Sequence, residues 1–364
     1  MAFFSQYDLR DLLVTINGTS LAVETLQLTH ALNESRVCTF VTRDANAGGL
    51  CTLGAEITVT LGKQQIRPTV GRSPNNPVVT FRGHIKIVSP QEGIYTVTAF
   101  DYITHLATSE QVDFTDTQYY KGWDAIAAIK DVVDQADVGI DTSAMIETSG
   151  ILVKEDWGIF GWKTRKEFID GIIQNMEHTL SDNFHNALDS ITFRYGIMDG
   201  IQMRVFSPTI KGVVKQPILK LTDNENIAIL ASTDLSKMVN SCTVISSVDS
   251  TIYATYENGS SIKNYGVQSA QLSLPLSRKA DCHLAAFAYV EARKSPTITY
   301  NIDLPNFLWF DLGNYIQLEV PSLKKGEILP IVSYDIQFAD EITTTLTMGS
   351  ESLTTSQIIK QLVS

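Results

Sequence analysis

The sequence predicts a mainly β fold with an α+β insert, read as a barrel, an insert and a second barrel. Three observations lead there. Period-two alternation dominates residues 12 to 101, three-to-four spacing takes over after about Phe114, and alternation returns beyond residue 220. The expected boundaries are 1–110 for the first barrel, 111–220 for the insert, 221–350 for the second barrel and 351–364 for a tail.

In DLLVTINGTSLAV, Leu12, Val14 and Ile16 share one strand face, and Asn17-Gly18 suits a tight turn whose two central residues take positive φ. VCTFVT and EITVTLG keep the alternation, with Ile57, Val59 and Leu61 together. RPTVGRSPNNPVV, rich in Pro, Gly and Asn, reads as a long surface loop or hairpin tip. Its Arg72, Ser73, Pro74, Asn75, Asn76 and Pro77 are candidate partner contacts, because long loops on a rigid sheet tend to carry recognition. Phe81, Gly83, Ile85 and Ile87 then alternate, SPQEG turns the chain, and Tyr95, Val97, Ala99 and Asp101 alternate back. Asp101, just before YITHLA, is placed to cap a short helical turn by accepting backbone N–H groups two or three residues on.

Within the insert, Trp123, Ile126, Ile129 or Lys130, Val133 and Ala136 make one apolar helix face. KTRKEFIDGIIQNME opens with a capping box, Thr164 and Glu167, and runs Phe168, Ile169, Ile172, Ile173 and Met176 along one stripe. A hairpin on Asp199-Gly200 comes next. In the last third Asn258-Gly259 reads as another tight hairpin turn. SRKADCHLAAFAYVEARKSP reads as a helix with Ala280, Leu284 and Phe287 or Ala288 inward, and SQIIKQLVS as a short terminal helix.

A formal charge of −12 and a pI near 5.0 exclude general nucleic-acid affinity, which needs clustered Lys and Arg. The same charge suits plain solubility, or a conduit whose wall must not hold DNA. The four cysteines are scattered and read as small buried apolar residues. No signal peptide or membrane-spanning run stands out, so no membrane insertion is expected. Histidines 30, 84, 105, 178, 185 and 283 build no metal motif and read as solvent-facing or locally bonded. No nucleophile elbow, phosphate loop or dinucleotide fingerprint occurs, and Glu155-Asp156 and Asp340-Glu341 read as solvated charge pairs. No catalytic residue, cofactor or metal is therefore expected. Trp157 and Trp162, in EDWGIFGWKT, either lid the insert's core or stack on a sugar or partner.

TFRGHIKIVS and GIYTVTAFDYITHLATSE resemble the F-x-G-x-V and Y-x-V-x-A-x-D-x-x-x-x-L hairpin of contractile-tail baseplate hub proteins of bacteriophages. This is the late control protein D type, similar to the N-terminal part of VgrG spikes of type VI secretion. The matching residues are Phe81, Gly83, Tyr95, Val97, Ala99, Asp101 and Leu106. Downstream, Tyr265-Gly266 before an Ala-rich helix and a turn at Leu312, Gly313 and Asn314 are similar to the family's second barrel. Asn314 stands where many relatives have Asp, which leaves the turn chemistry intact.

The resemblance implies two tube-type β-barrel domains related by pseudo-symmetry and a homotrimeric symmetry adaptor. Such an adaptor joins a hexameric tail tube to a threefold spike, here a separate protein, beside wedge or sheath-associated baseplate proteins. DNA would pass through its lumen without specific binding, in a virion tail assembled in the host bacterial cytoplasm. Alternatives are a tail-associated cell-wall hydrolase, a carbohydrate-binding tail module, or the hub of a phage-derived injection particle.

Overall fold

The computed structural model describes residues 12–31, 34–61, 78–108, 111–114, 120–157, 159–184, 194–198, 202–206, 219–222, 228–236, 238–274, 276–291, 293–305, 312, 315–319, 327–339 and 342–349. Among the described residues strand outweighs helix, 48% against 22%, so the fold is mainly β. No helix among the described residues is long and apolar enough to cross a membrane.

Strands β1 (Leu12–Ile16) and β2 (Thr19–Leu21) are joined by Asn17 and Gly18, both at positive φ as the dipeptide anticipates. Then come β3 (Thr25–Ala31), β4 (Val37–Thr42), the single turn α1 (Ala47–Leu50), β5 (Glu56–Leu61), β6 (Val78–Gln91) and β7 (Ile94–Asp101). Strands β6 and β7 turn on Glu92-Gly93, again both at positive φ. The alternation expected through Ile87 breaks. A bulge between Ile85 and Ile87 inserts a residue, so Phe81, Gly83 and Ile85 face the core while Ile87 is exposed.

After α2 (Ile103–Thr108) come β8 (Val112–Asp113), α3 (Ala125–Asp134), β9 (Trp162–Lys163), α4 (Arg165–Phe184), β10 (Arg194–Met198) and β11 (Gln202–Phe206). The expected stripes form one core, except that Trp123 precedes the Asp124 N-cap of α3 and is 38% exposed. Ile126, Ile129 and Val133 of α3 meet Phe168, Ile169, Ile172, Ile173 and Met176 of α4, and Phe114 stacks on Phe168 with centroids 4.0 Å apart. The capping box is present: Thr164 Oγ1 accepts the Glu167 N–H at 3.2 Å, and Glu167 Oε2 accepts the Thr164 N–H at 2.7 Å. Thr164→Ala is expected to cost about 1 kcal/mol, read as a small drop in melting temperature.

The last part comprises β12 (Leu219–Thr222), β13 (Ala228–Asp234), β14 (Ser241–Ser246), β15 (Tyr253–Glu257), α5 (Gly259–Tyr265), β16 (Ser269–Leu274), α6 (Lys279–Glu291), β17 (Thr297–Pro305), β18 (Tyr315–Glu319), β19 (Glu327–Phe338) and β20 (Ile342–Gly349). The described strands include a 13-stranded sheet with main order β13-β17-β20-β19-β3-β4-β7-β6-β5-β1-β2, β18 lying beside β19 and β12 beside β18. Because β19 pairs antiparallel with β3, strands from the first and last thirds of the chain share one sheet. Compact units do not track the sequence thirds: one is Met1–Ile229 with Ile302–Thr347, the other Leu230–Asn301 with Met348–Ser364.

In the second unit, β14 lies between antiparallel β15 and parallel β16, and α6 covers one face. The inward face of α6 differs from expectation. Leu284 and Phe287 are 60% and 41% exposed, whereas Cys282, Ala285, Ala286, Tyr289 and Val290 are buried against the sheet. Cys282, Ala285 and Ala286 on that face take little room against the sheet, and Phe287 packs edge-on against Tyr256 instead. Asn258-Gly259 also departs from the hairpin reading. Asn258 is the N-cap of α5, its side chain accepting the Ser261 N–H at 3.0 Å, and the chain enters a helix where a returning strand was expected.

Candidate functional site

The residues of the β6–β7 motif come together in space. Phe81 lies opposite Val59, Gly83 opposite Ile57 and Asp101, Val97 opposite Phe40, and Ala99 opposite Cys38 and Ile85. Directly paired residues share a face, and here that face is the core. Tyr95 lies against α1: a Cβ on Gly48 would sit 2.8 Å from the Tyr95 hydroxyl. Gly83 is needed more strictly, since a Cβ there would sit 2.1 Å from the Phe100 carbonyl oxygen.

Asp101 is fully buried and does cap the next turn, accepting the Ile103 N–H at 3.1 Å. It also accepts the Arg36 N–H at 3.0 Å, a contact from 65 residues upstream that no local pattern announces. Burial pushes its carboxyl up to about 7, against the downward pull of these N–H groups. A raised carboxyl binds protons more tightly folded than unfolded. Its contribution to stability is therefore full below the unfolded value near 4 and is lost as pH rises toward 7. Asp101→Asn is expected to flatten this part of the pH–stability curve relative to wild type. Equal slopes between about pH 4 and 7 would refute the assignment. Leu106, one turn further on, is fully buried in the insert's core, so the motif is a joint between sheet and insert.

Of the other motif residues, Leu312 is buried and Tyr265 is 42% exposed at the end of α5. Gly266 has φ 74°, a conformation that favours glycine, and its carbonyl accepts from Asn240 Nδ2 at 2.7 Å. Asn240 is fully buried, and its Oδ1 accepts the Gln268 N–H at 2.7 Å. It clamps both ends of the 266–268 segment. Gly313, Asn314, the loop residues Arg72 to Pro77, Asp199-Gly200, Asp340-Glu341, His185 and the tail 351–364 lie outside the described residues.

On the face opposite the core, the sheet carries rows of hydroxyl and amide groups. One cross-strand row is Thr98, Thr39, Gln27 and Gln337; the next holds Thr96, Val41 and Thr25. The Thr39 and Thr98 hydroxyls are 3.3 Å apart, and Gln27 Nε2 and Thr29 Oγ1 donate to Asp335 Oδ2 at 2.6 and 2.9 Å. Strands β3, β4 and β7 hold no Lys or Arg. These three strands themselves offer phosphate no cation, although Lys166 lines the pocket beside Thr29, Val37 and Phe100, and the adjoining β6 carries Arg82 and Lys86.

The two tryptophans of the 155–164 stretch part company. Trp157 packs against the insert's core, whereas Trp162 is 65% exposed. Glu155 is ion-paired with Lys121, so it is no free acid. All four cysteines are buried, as expected. Among the histidines, His30 is buried, its Nδ1 3.3 Å from the Tyr334 hydroxyl, and His84 and His105 bond to each other. No group of three metal-ligating side chains occurs among the described residues.

No protein-family model matches the chain, and neither does any curated protein. Solved structures do. The tail protein from Neisseria meningitidis MC58 matches with a TM-score of 0.63 at 11% identity, over 94% of this chain and 96% of that one. The 43 kDa tail protein of prophage MuSo2 from Shewanella oneidensis matches with a TM-score of 0.61 at 11% identity, over 94% and 96%. A chain of the Francisella PdpA–VgrG complex matches with a TM-score of 0.50 at 11% identity, over 94% of this chain and 53% of that one. The fold is thus one found in phage tail proteins. It extends to VgrG-related chains, as the motif residues anticipated.

Proposed function

We propose that the chain is the structural hub of a contractile phage tail baseplate. In this reading three copies form a symmetry adaptor, each giving two tube-type barrels related by pseudo-symmetry, drawn from residues 1–110 and 221–350, with 111–220 as the insert. The ring sits between the hexameric tail tube and a threefold spike supplied by a separate chain. Wedge or sheath-associated proteins surround it in a virion assembled in the host cytoplasm. DNA passes through the lumen unbound, and the chain performs no catalysis.

The observation that carries this reading is a likeness to tail proteins that runs over 94% of the chain. The cation-free hydroxyl face of β3, β4 and β7 supports it, and we assign that face to the lumen. Particles carrying Thr39→Lys with Thr98→Lys are expected to assemble but to eject DNA more slowly, the new cations holding phosphate. Unchanged ejection from assembled particles would place this face away from the DNA path.

One observation favours a second reading. Trp162, at 65% exposure, is available to stack on a sugar or partner. Glycan binding that disappears in Trp162→Ala, with stability unchanged, would support it; a blank glycan screen would remove it.

A further inference from the structure

Helix α2 carries the chain from sheet to insert; beside its Asp101 cap and the Thr104–Ser35 hydroxyl bond, an imidazole pair ties it back to the sheet. His105, in its last turn, places Nε2 2.9 Å from Nδ1 of His84 on β6, the rings edge to face with centroids 4.7 Å apart. At that distance one ring's N–H donates to the other's bare nitrogen, which requires at least one neutral imidazole. His84 in turn stands across from Glu56 on β5 and meets the edge of Tyr102, 5.2 Å between centroids.

The surroundings disfavour a second proton. Glu56 favours a proton on His84 but is outweighed by burial, and it is also engaged by Arg82 and accepts the Tyr102 hydroxyl at 2.9 Å. Lys86 and Arg82 on β6 add positive charge toward His84. From α4, beyond α2, Lys166 is ion-paired with Asp170 at 2.9 Å. Burial holds both imidazoles below their ordinary value, and for His105 the neighbouring His84 and Lys86 add to this.

We propose that the His84–His105 pair is a proton-operated latch, holding α2 to the sheet while one ring is neutral and releasing it when both are protonated. Ile103 and Leu106 of the same helix lie in the insert's core, so release loosens the insert from the hairpin side. For groups whose value is lowered in the folded protein, the stabilisation is full above the ordinary histidine range. It fades as pH falls through that range and below it.

Hydrogen exchange on the full chain at about pH 7.5, 6.5 and 5, corrected for intrinsic rates, tests this. Protection of the α2 amides is expected to fall severalfold toward pH 5, against the opposite trend of the Asp101 cap, while α6 keeps its protection. His105→Gln keeps a donor for His84 but cannot be charged, and should hold α2 protected at about pH 5. Parallel losses in α2 and α6, or release of α2 in His105→Gln as in wild type, overturn the latch. Should that variant fail to fold, the wild-type imidazole C–H resonances decide. Coupled titration below the ordinary value supports the latch, and two independent titrations at the ordinary value overturn it.

Discussion

Gly83→Ala is expected to break the β6–β7 pair. The added methyl would lie 2.1 Å from the Phe100 carbonyl oxygen and 2.7 Å from its carbon, both backbone atoms in the neighbouring strand. No rotamer change relieves a clash with backbone, so the strands must separate where Gly83 pairs with Asp101. Separation also strains the Asp101 cap and pulls at Leu106. The cost is about 4 kcal/mol or more, at the far end of what single substitutions do, and the melting temperature should drop by roughly 5 °C or more, or the protein fail to accumulate. Gly93→Ala is the control. It has φ +83° but open space around its Cβ, so it pays only the left-handed penalty of about 1 kcal/mol. Equal losses in the two variants would show that Gly83 is not the close-approach position described.

Asn240→Ala is expected to unfold the second unit selectively. Its side chain donates to the Gly266 carbonyl and, at 3.3 Å, to Ser261 Oγ, and accepts from the Gln268 N–H. Truncation strands a carbonyl and an N–H, each costing about 1–3 kcal/mol where water cannot replace the lost partner, beside a lost turn clamp. Hydrogen exchange should show β14, β16 and α6 opening while α4 keeps its protection. Opening of both units together would mean the division between them is not a division in stability.

Much of this was legible locally. The Asn17-Gly18 turn, the Thr164 capping box and the α4 stripe are all set by residues within a few positions of one another, where spacing maps directly onto a helix or strand face. The bulge after Ile85 was not, because one inserted residue reverses every later side chain and leaves no mark in the hydrophobic pattern. Asn258-Gly259 failed for a related reason: the same dipeptide serves a hairpin or a helix cap, and the choice is made by the residues after Gly259, which here wind into α5. For α6 the face through Ala280, Leu284 and Phe287 was read as inward, but the helix turns Cys282, Ala285, Ala286, Tyr289 and Val290 to the sheet instead.

The motif itself shows the same limit. Sequence placed Gly83, Asp101 and Leu106 in one hairpin and anticipated the cap. The partner of Asp101 at Arg36, the pairing of β19 with β3, the Asn240 clamp and the His84–His105 contact join residues 21 to 308 positions apart or bury polar groups among distant strands. Such contacts are fixed by topology, which periodicity does not encode.

The central claim is that this chain is a threefold adaptor, and its solution mass tests that most directly. Light scattering on the purified full chain across a dilution series should give three times the 40.2 kDa chain mass, persisting on dilution as an obligate interface would. The mass of a single chain at every concentration, including the highest reached, would contradict the account.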